Sequence, residues 1–524
     1  METREKSDLR KGIFNATFLV MIATLLSKAS GLVRDQITAS YFGITYDTDA
    51  FTWAYFIPNL FRVLFAESII IAAFIPIYAL YLKKNDRDQL NDFVASVTNI
   101  FIVVFTAISL IIFIFSNPIG SFLSGISGNN MDIAGFSMMN RIMIFSLVIM
   151  SIAGLLTSIL NSHNKFVVPA IAPMIMNIVS IIFVVALAGR IGIISMAIGI
   201  IIGSVLEVLI QLPGLKGIDL KYRFKINFKN DAVKEMFSMM VPIMLSLGAV
   251  QINNSIDNFF ALNLGAGNTT ALTFSWRVAN LPLGVFSVAV ITVLYPLISK
   301  QAADKNITGL KNSFSIAVRE IGYIMIPATA GMIILAGPII KVLFERNQFT
   351  SMDTEKVATI LVFHCAGLVF FGLLMTLNRI FYSLKDVKTP LIIALASIAS
   401  NLLLDWLLMK VMGISGIALA TSLVAGINIA LLIIILRKKI GYLGGKKIIV
   451  SYLKISAASV IMSAFAYFAW RLLYVFFDKN NFMTVLLLFI IIIFAGALYI
   501  ALTYVFKMEE TNFIARTIKQ RFVK

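Results

Sequence analysis

The chain has 524 residues, of which 59% are hydrophobic and only 13% charged, and its mean hydropathy is +0.92. A soluble globular chain carries about 45–50% apolar and about 25% charged residues, so a soluble enzyme is excluded and a polytopic membrane protein is implied. The formal net charge is +18, from 44 Lys+Arg against 26 Asp+Glu, which in such a protein implies basic cytoplasmic loops beside anionic lipid rather than a nucleic-acid partner.

The amino end, METREKSDLRKG, runs into a long hydrophobic helix containing Lys28 and Arg34. It lacks a short apolar core with a small-residue cleavage site and reads as a retained first span. A span needs ~20 mostly apolar residues. Apolar stretches separated by Gly, Pro, Asn or charged breaks predict fourteen transmembrane helices. They lie near 13–40, 49–82, 91–116, 133–160, 167–188, 191–211 and 233–264, then 271–298, 314–336, 355–383, 389–409, 414–436, 448–475 and 483–506. The fold class is therefore all-α. With the amino terminus inside, 29 of the 44 basic residues fall in inside segments and 5 outside. That asymmetry predicts both termini to be cytoplasmic.

Sliding the chain by 221 residues superposes Asn59-Leu60 on Asn280-Leu281, Pro169 on Pro390, and Gly192-Ile193 on Gly413-Ile414. One offset serving three pairs of spans predicts an internal repeat of six spans. Six is even, so the repeats share an orientation and are expected as two parallel lobes with a cavity between them. The expected division is 1–211 (helices 1–6), 212–232, 233–436 (helices 7–12) and 437–524 (helices 13–14 and tail). The basic, apolar-interleaved segment 212–232 is expected at the cytoplasmic surface, either as an interfacial helix or as a solvated linker.

Ten basic residues fall inside spans. For Arg319, Lys356, Arg379, Lys454 and Arg471, near span ends, snorkelling to the interface is explanation enough. Arg62 and Arg277 sit well inside long spans, where a charge costs ~2.5–3.5 kcal/mol or more. They are expected to face water or a ligand. With Lys28 and Arg34 they draw cations from spans 1, 2 and 8, an anion-binding set. Arginine's planar fork suits phosphate. Asp35 adjoins Arg34 and is placed to orient it. Asp49 opens span 2, as a cap or as part of the site. Glu67 follows Arg62 by five residues, an uncertain spacing for a pair.

In the second repeat Asn401 and Asp405 share a helix face, and Asp257 and Thr421 belong to the same lobe. Such hard oxygen ligands suit a sodium ion or a proton, or simply tie helices together. One cysteine, Cys365, excludes a disulfide framework or a CxxC metal site, and two histidines leave little for zinc or haem. His364-Cys365 reads as core and His163 as an ordinary loop neighbour. No GxxxxGK[S/T] loop is visible, so the drive is expected from the membrane potential or an ion gradient.

The stretches Ser27-Lys28-Ala29-Ser30-Gly31-Leu32-Val33-Arg34-Asp35, Tyr41-Phe42-Gly43 and Thr48-Asp49-Ala50-Phe51 resemble the start of the MurJ (MviN) lipid II flippases. So do Ile57-Pro58-Asn59-Leu60-Phe61-Arg62, Phe65-Ala66-Glu67 and Ala73-Phe74-Ile75-Pro76, and later Gln251-Ile252-Asn253 with Asp257, and Trp276-Arg277. That family sits in the multidrug/oligosaccharidyl-lipid/polysaccharide exporter superfamily. The resemblance implies a transporter, not an enzyme. Its substrate would be undecaprenyl-diphosphate-linked disaccharide-pentapeptide, moved from the inner to the outer leaflet of a bacterial plasma membrane by alternating access. It places the family's essential cavity arginines at Arg34, Arg62 and Arg277, and an earlier one at Lys28, which keeps the charge but loses the fork. Asp35 and Asp49 also match family positions. It further implies a sodium site like that of some members at Asp257, Asn401, Asp405 and Thr421, no other cofactor, and a lipid-tail groove formed by the last two spans. Partners would be lipid II, membrane lipids and cell-wall synthesis proteins. A flippase for another polyprenyl-diphosphate glycan (a capsule or teichoic-acid precursor), a multidrug/cation antiporter and a non-transporting cell-wall scaffold are the alternatives.

Overall fold

The computed structural model describes residues 2–64, 73–84, 86–128, 131–220, 222–477 and 481–511, and every regular element among them is helical. Glu67 lies outside the described residues. The first part of the chain forms α1 (Glu2–Phe42), α2 (Tyr46–Phe61), α3 (Ile75–Lys84), α4 (Arg87–Ile126), α5 (Ile133–Met143), α6 (Ser146–Ser162), α7 (Val167–Ile191) and α8 (Ile194–Leu209). Next come α9 (Asp231–Asn263), α10 (Asn268–Pro282), α11 (Val288–Ala303), α12 (Ile307–Ile334), α13 (Ala336–Phe344), α14 (Ser351–Ala366) and α15 (Leu368–Ser383). The chain closes with α16 (Lys388–Met412), α17 (Ile414–Ile440), α18 (Gly445–Phe477) and α19 (Asn481–Val505).

Nine spans among the described residues are long and apolar enough to cross a membrane, and α14 with α15, bent by 41° at Gly367, makes a tenth. Fourteen spans are consistent with this once the shortfall is located. The four predicted spans that do not pass are the first, second, seventh and eighth. These carry Lys28 and Arg34, Asp49 and Arg62, Asp257, and Arg277. Parts of all four lie outside the residues whose side chains are described.

Capping side chains begin many helices. Thr45 and Thr48 form a capping box at α2, and Thr350 with Asp353 another at α14, while Asp132 accepts the first N–H groups of α5. These satisfy backbone donors that no helix can satisfy internally. α7 and α16 are both 25 residues long, begin at Val167 and Lys388, and end on Gly192 and Gly413, each with φ near +57°. Their starts and their glycines keep the 221-residue offset, so the repeat read from the sequence extends to helix ends and backbone conformation. Spans two and eight each follow an internal proline, Pro58 and Pro282, with a π-helical turn, beginning at Arg62 and Leu283 respectively. Proline removes a ladder hydrogen bond, which locally re-registers the helix. After a 3-10 turn at Leu212–Leu215 the described residues form no further helix before α9 and close in a turn at Asn227–Asn230, so of the two forms expected for 212–232 the interfacial helix is absent among them.

The chain divides into two compact units. One comprises Met1–Gln251 with the short loops Gly265–Thr270 and Arg346–Phe349; the other comprises Ile252–Leu264, Ala271–Glu345 and Thr350–Lys524. The first has an aromatic core in which Phe74 stacks on Tyr78 and Phe93, with ring centroids 5.4 and 5.2 Å apart. In the second, α18 and α19 close a core with α12 through Tyr323, Ile455, Ala458, Leu488 and Tyr499. Burying such side chains stabilises by roughly 1.5–3 kcal/mol each when water is the alternative. Against lipid, shape and hydrogen bonding matter more. Arg319 accordingly does not merely snorkel: it pairs with Glu509 at 2.9 Å and Glu510 at 3.0 Å, and Ser451 donates to Glu510.

Candidate functional site

In the first unit Arg34 is 7% exposed and held on two sides. Its Nη2 and Nε donate to Asp35 Oδ1 at 2.9 and 3.2 Å, and its Nη1 donates to Asn177 Oδ1 on α7 at 3.1 Å. The Asn177 amide in turn donates to Ser30 Oγ at 3.0 Å and to the Ser27 carbonyl at 3.4 Å. A buried guanidinium needs this kind of partnering, because an uncompensated charge in a low-dielectric interior is costly. The fork is therefore fixed in direction. Arg62, half-buried where the π-helical turn begins, donates from Nε and Nη2 to Asn59 Oδ1 at 3.2 and 2.9 Å. Lys28 is exposed on α1, one turn and a half before Arg34.

Asp49 is fully buried and serves a different geometry. Its Oδ2 accepts the Gly267 N–H at 2.7 Å, and its Oδ1 accepts both the N–H and the hydroxyl of Thr270 at 2.8 Å. These groups open α10, so a negative charge lies at a helix N-terminus, where the dipole favours it. Gly267 has φ +72°, and a Cβ there would meet the Ile44 carbonyl oxygen at 2.3 Å, so only glycine fits this approach.

In the second unit Arg277 is half-buried on α10. Beside it Trp276 packs edge-on against His364 at 5.3 Å and Phe371 at 5.1 Å, and His364 shares a hydrogen bond with Ser275 at 2.8 Å. His364 and Cys365 are both buried, as read from the sequence. The same unit gathers Asp257, Asn401, Asp405 and Thr421. The Asn401 amide donates to Asp257 Oδ1 at 2.6 Å and to Asp405 Oδ2 at 2.7 Å, and the Thr421 hydroxyl donates to Asp257 Oδ2 at 2.9 Å. Asp257, Asn401 and Asp405 are no more than 6% exposed, and Asp405 Oδ1 has no hydrogen-bond partner among the described residues. Two carboxylates so close and so dry need a counter-charge, a sodium ion or a proton. Asn401 turns its nitrogen to both carboxylates, so the oxygens offered to either are those of Asp257, Asp405 and Thr421.

Asn177, Gly267 and Thr270 were not among the residues singled out from the sequence. For Asn177 a signal existed, an amide in the middle of an otherwise apolar span. For Gly267 and Thr270 none did, since they read as loop and cap.

Residues 38–493 match the family model described as lipid II flippase MurJ. A probable lipid II flippase MurJ of Vibrio cholerae serotype O1 is 31% identical over 434 residues, covering 80% of this chain and 82% of that one. A lipid II flippase MurJ of Burkholderia cenocepacia is 29% identical, covering 82% and 84%. Among solved structures, lipid II flippase MurJ in an inward closed conformation is similar with a TM-score of 0.76 at 30% identity, covering 93% of this chain and 98% of that one. An inward-facing multidrug resistance MATE family transporter of the MOP superfamily shares the fold alone, at a TM-score of 0.66 and 13% identity. On a family match across most of its length, the chain belongs to the lipid II flippase MurJ family.

Proposed function

We propose that this protein is a lipid II flippase of a bacterial plasma membrane, with both termini cytoplasmic, carrying the undecaprenyl-diphosphate-linked disaccharide-pentapeptide from the inner to the outer leaflet. The observation that carries the reading is the clamp on Arg34. A guanidinium buried within a membrane span and oriented by Asp35 and Asn177 is preorganised for an anion. Lys28, Arg62 and Arg277 are proposed to complete the cationic set, with Asp35 aligning Arg34 and Asp49 holding the start of α10. A diphosphate cannot cross hydrocarbon unaided, whereas arginines that replace its hydration shell let it pass.

The working parts are proposed as lobes 1–211 and 233–436, joined through 212–232, with 437–524 accommodating the polyprenyl tail. Alternation of access between the lobes follows from their repeat relationship. Asp257, Asn401, Asp405 and Thr421 are proposed to hold a sodium ion or a proton. Either would neutralise the paired carboxylates and couple transport to an ion gradient. The membrane potential is a second drive, worth ~2.3 kcal/mol per charge per 100 mV. Cell-wall synthesis proteins are the proposed partners in the membrane.

Rescue of cells depleted of their own lipid II flippase tests the substrate. Restored growth with lipid II exposed on the outer leaflet supports the reading. A correctly inserted protein that restores neither, yet rescues loss of a capsule or teichoic-acid precursor flippase, would replace the substrate.

A further inference from the structure

The segment that precedes α9 alternates strictly in sequence. Tyr222, Phe224, Ile226 and Phe228 are 64%, 77%, 39% and 60% exposed, and Arg223, Lys225, Asn227 and Lys229 lie between them. Over Tyr222–Asn227, outside any helix or turn, an extended path sends alternate side chains to opposite faces, apolar on one and polar on the other, before the chain turns at Phe228 and Lys229. The residues just before behave differently: Leu215, Ile218 and Leu220 pack against the aromatic core of their unit. Four large apolar side chains in the following eight residues remain uncovered, an exposure that marks an interaction surface.

The attachment fixes the segment's depth. The Asn99 amide of α4 donates to the carbonyls of Arg223 and Lys225, both at 3.1 Å, and Asn99 Oδ1 accepts the Tyr222 hydroxyl at 2.5 Å. Lys225 pairs with Asp92. Two carbonyls two residues apart lie on one edge of an extended chain, so the segment docks edge-on and both faces stay open. Asp92 is the last charged residue of α4, and the first long apolar run, Ile100–Phe105, begins directly after Asn99. α4 is 40 residues long, about 60 Å at 1.5 Å per residue, against ~30 Å of hydrocarbon, so both ends stand outside the acyl region. Asn99 thus marks the water–hydrocarbon boundary, and the segment is pinned at that level.

We propose that residues 222–229 form an amphipathic strap lying in the membrane interface, with the aromatic face among acyl chains and Arg223 and Lys229 on the phosphates of anionic phospholipid. Aromatic rings favour this depth, and basic side chains are drawn to an anionic surface. The side chains of Arg223 and Lys229 are exposed and make no hydrogen bond or ion pair among the described residues; only their backbone groups are engaged, which leaves both cations available to phosphate. The strap would anchor the connection between the halves of the chain to one leaflet.

The test uses the full-length protein with a nitroxide on Ile226→Cys in a Cys365→Ala background, in nanodiscs of phosphatidylcholine with or without phosphatidylglycerol. Accessibility to oxygen and to a water-soluble nickel chelate is read by power saturation. The strap predicts a label open to oxygen and shielded from nickel in phosphatidylglycerol bilayers. Replacing Tyr222, Phe224 and Phe228 by Ser is expected to turn it toward nickel. Arg223→Gln and Lys229→Gln are each expected to lower the preference for phosphatidylglycerol roughly fivefold. A nickel-accessible label in phosphatidylglycerol bilayers overturns the proposal, as does a label shielded from both reagents, which would mean protein covers the strap. Indifference to lipid charge and to both Gln variants overturns the anionic assignment.

Discussion

Asp49 and Thr270 are joined by two hydrogen bonds of 2.8 Å to one carboxylate oxygen, and they stand 221 residues apart. That separation is the repeat offset, so the two residues are repeat equivalents. The first copy supplies a carboxylate where the second supplies a helix N-terminus to receive it.

Replacing this carboxylate tests its weight. Asp49→Asn removes the charge and one acceptor from a dry site, and hydrogen bonds to charged groups contribute about 1.5–3 kcal/mol each. Thr270→Val removes one hydroxyl bond and leaves the backbone N–H in place. A larger fall in thermal midpoint for Asp49→Asn than for Thr270→Val is expected in detergent. Equal small shifts would show that the Asp49 charge adds nothing to the helix end.

The Asn177 amide acts on Arg34 through its oxygen and on α1 through its nitrogen. Asn177→Asp keeps an acceptor for Arg34 but loses both donations, to Ser30 and to Ser27. Asn177→Ala loses all three bonds. Lipid II exposure in depleted cells is expected to be lower for Asn177→Ala than for Asn177→Asp, with Arg34→Lys also impaired because an ammonium lacks the fork. If both Asn177 variants transport like the unmodified protein, orientation of Arg34 from α7 is unnecessary.

The paired carboxylates make ion dependence testable without transport. If Asp257 and Asp405 hold sodium, replacing sodium by choline is expected to lower the thermal midpoint of the unmodified protein but not that of Asp405→Asn. Sodium-independent midpoints that vary with pH would favour a proton. Midpoints indifferent to both would reduce the cluster to a tie between helices.

Acid sensitivity has one assignable contribution on the loop before α16. Partial burial pushes the Asp386 carboxyl up. The Lys439 ammonium, with the hydroxyl and N–H of Thr389, outweighs this and holds it down to about 2. A depressed carboxylate stabilises above its unfolded value near 3.9, and that contribution is lost as pH falls toward 2. Asp386→Asn is expected to flatten stability between about pH 4 and 2 and to lower it at neutral pH. A variant whose acid profile matches the unmodified protein would remove Asp386 from the account.

The sequence carries the architecture well because spans are local objects. α7 and α16 lie where runs of apolar residues and terminal glycines put them, and the 221-residue offset is visible in prolines and glycines alone. Individual cations were also legible, since Arg34 and Arg62 stand out against apolar neighbours. Partnership was not. Arg34 meets Asn177 across 143 positions, a distance no local pattern encodes. Segment 212–232 stays open in the sequence for a related reason: basic and apolar residues interleave in helices and in extended chains alike, and its docking on Asn99 through the Arg223 and Lys225 carbonyls is a long-range contact.

The most direct test compares lipid II exposed on the outer leaflet in cells depleted of their own flippase. These cells would express the unmodified protein, Arg34→Ala, Arg62→Ala or Arg277→Ala at matched membrane levels. The account predicts exposure with the unmodified protein and loss with each variant. Variants that expose lipid II as fully as the unmodified protein would contradict the assignment of these arginines to the substrate's diphosphate.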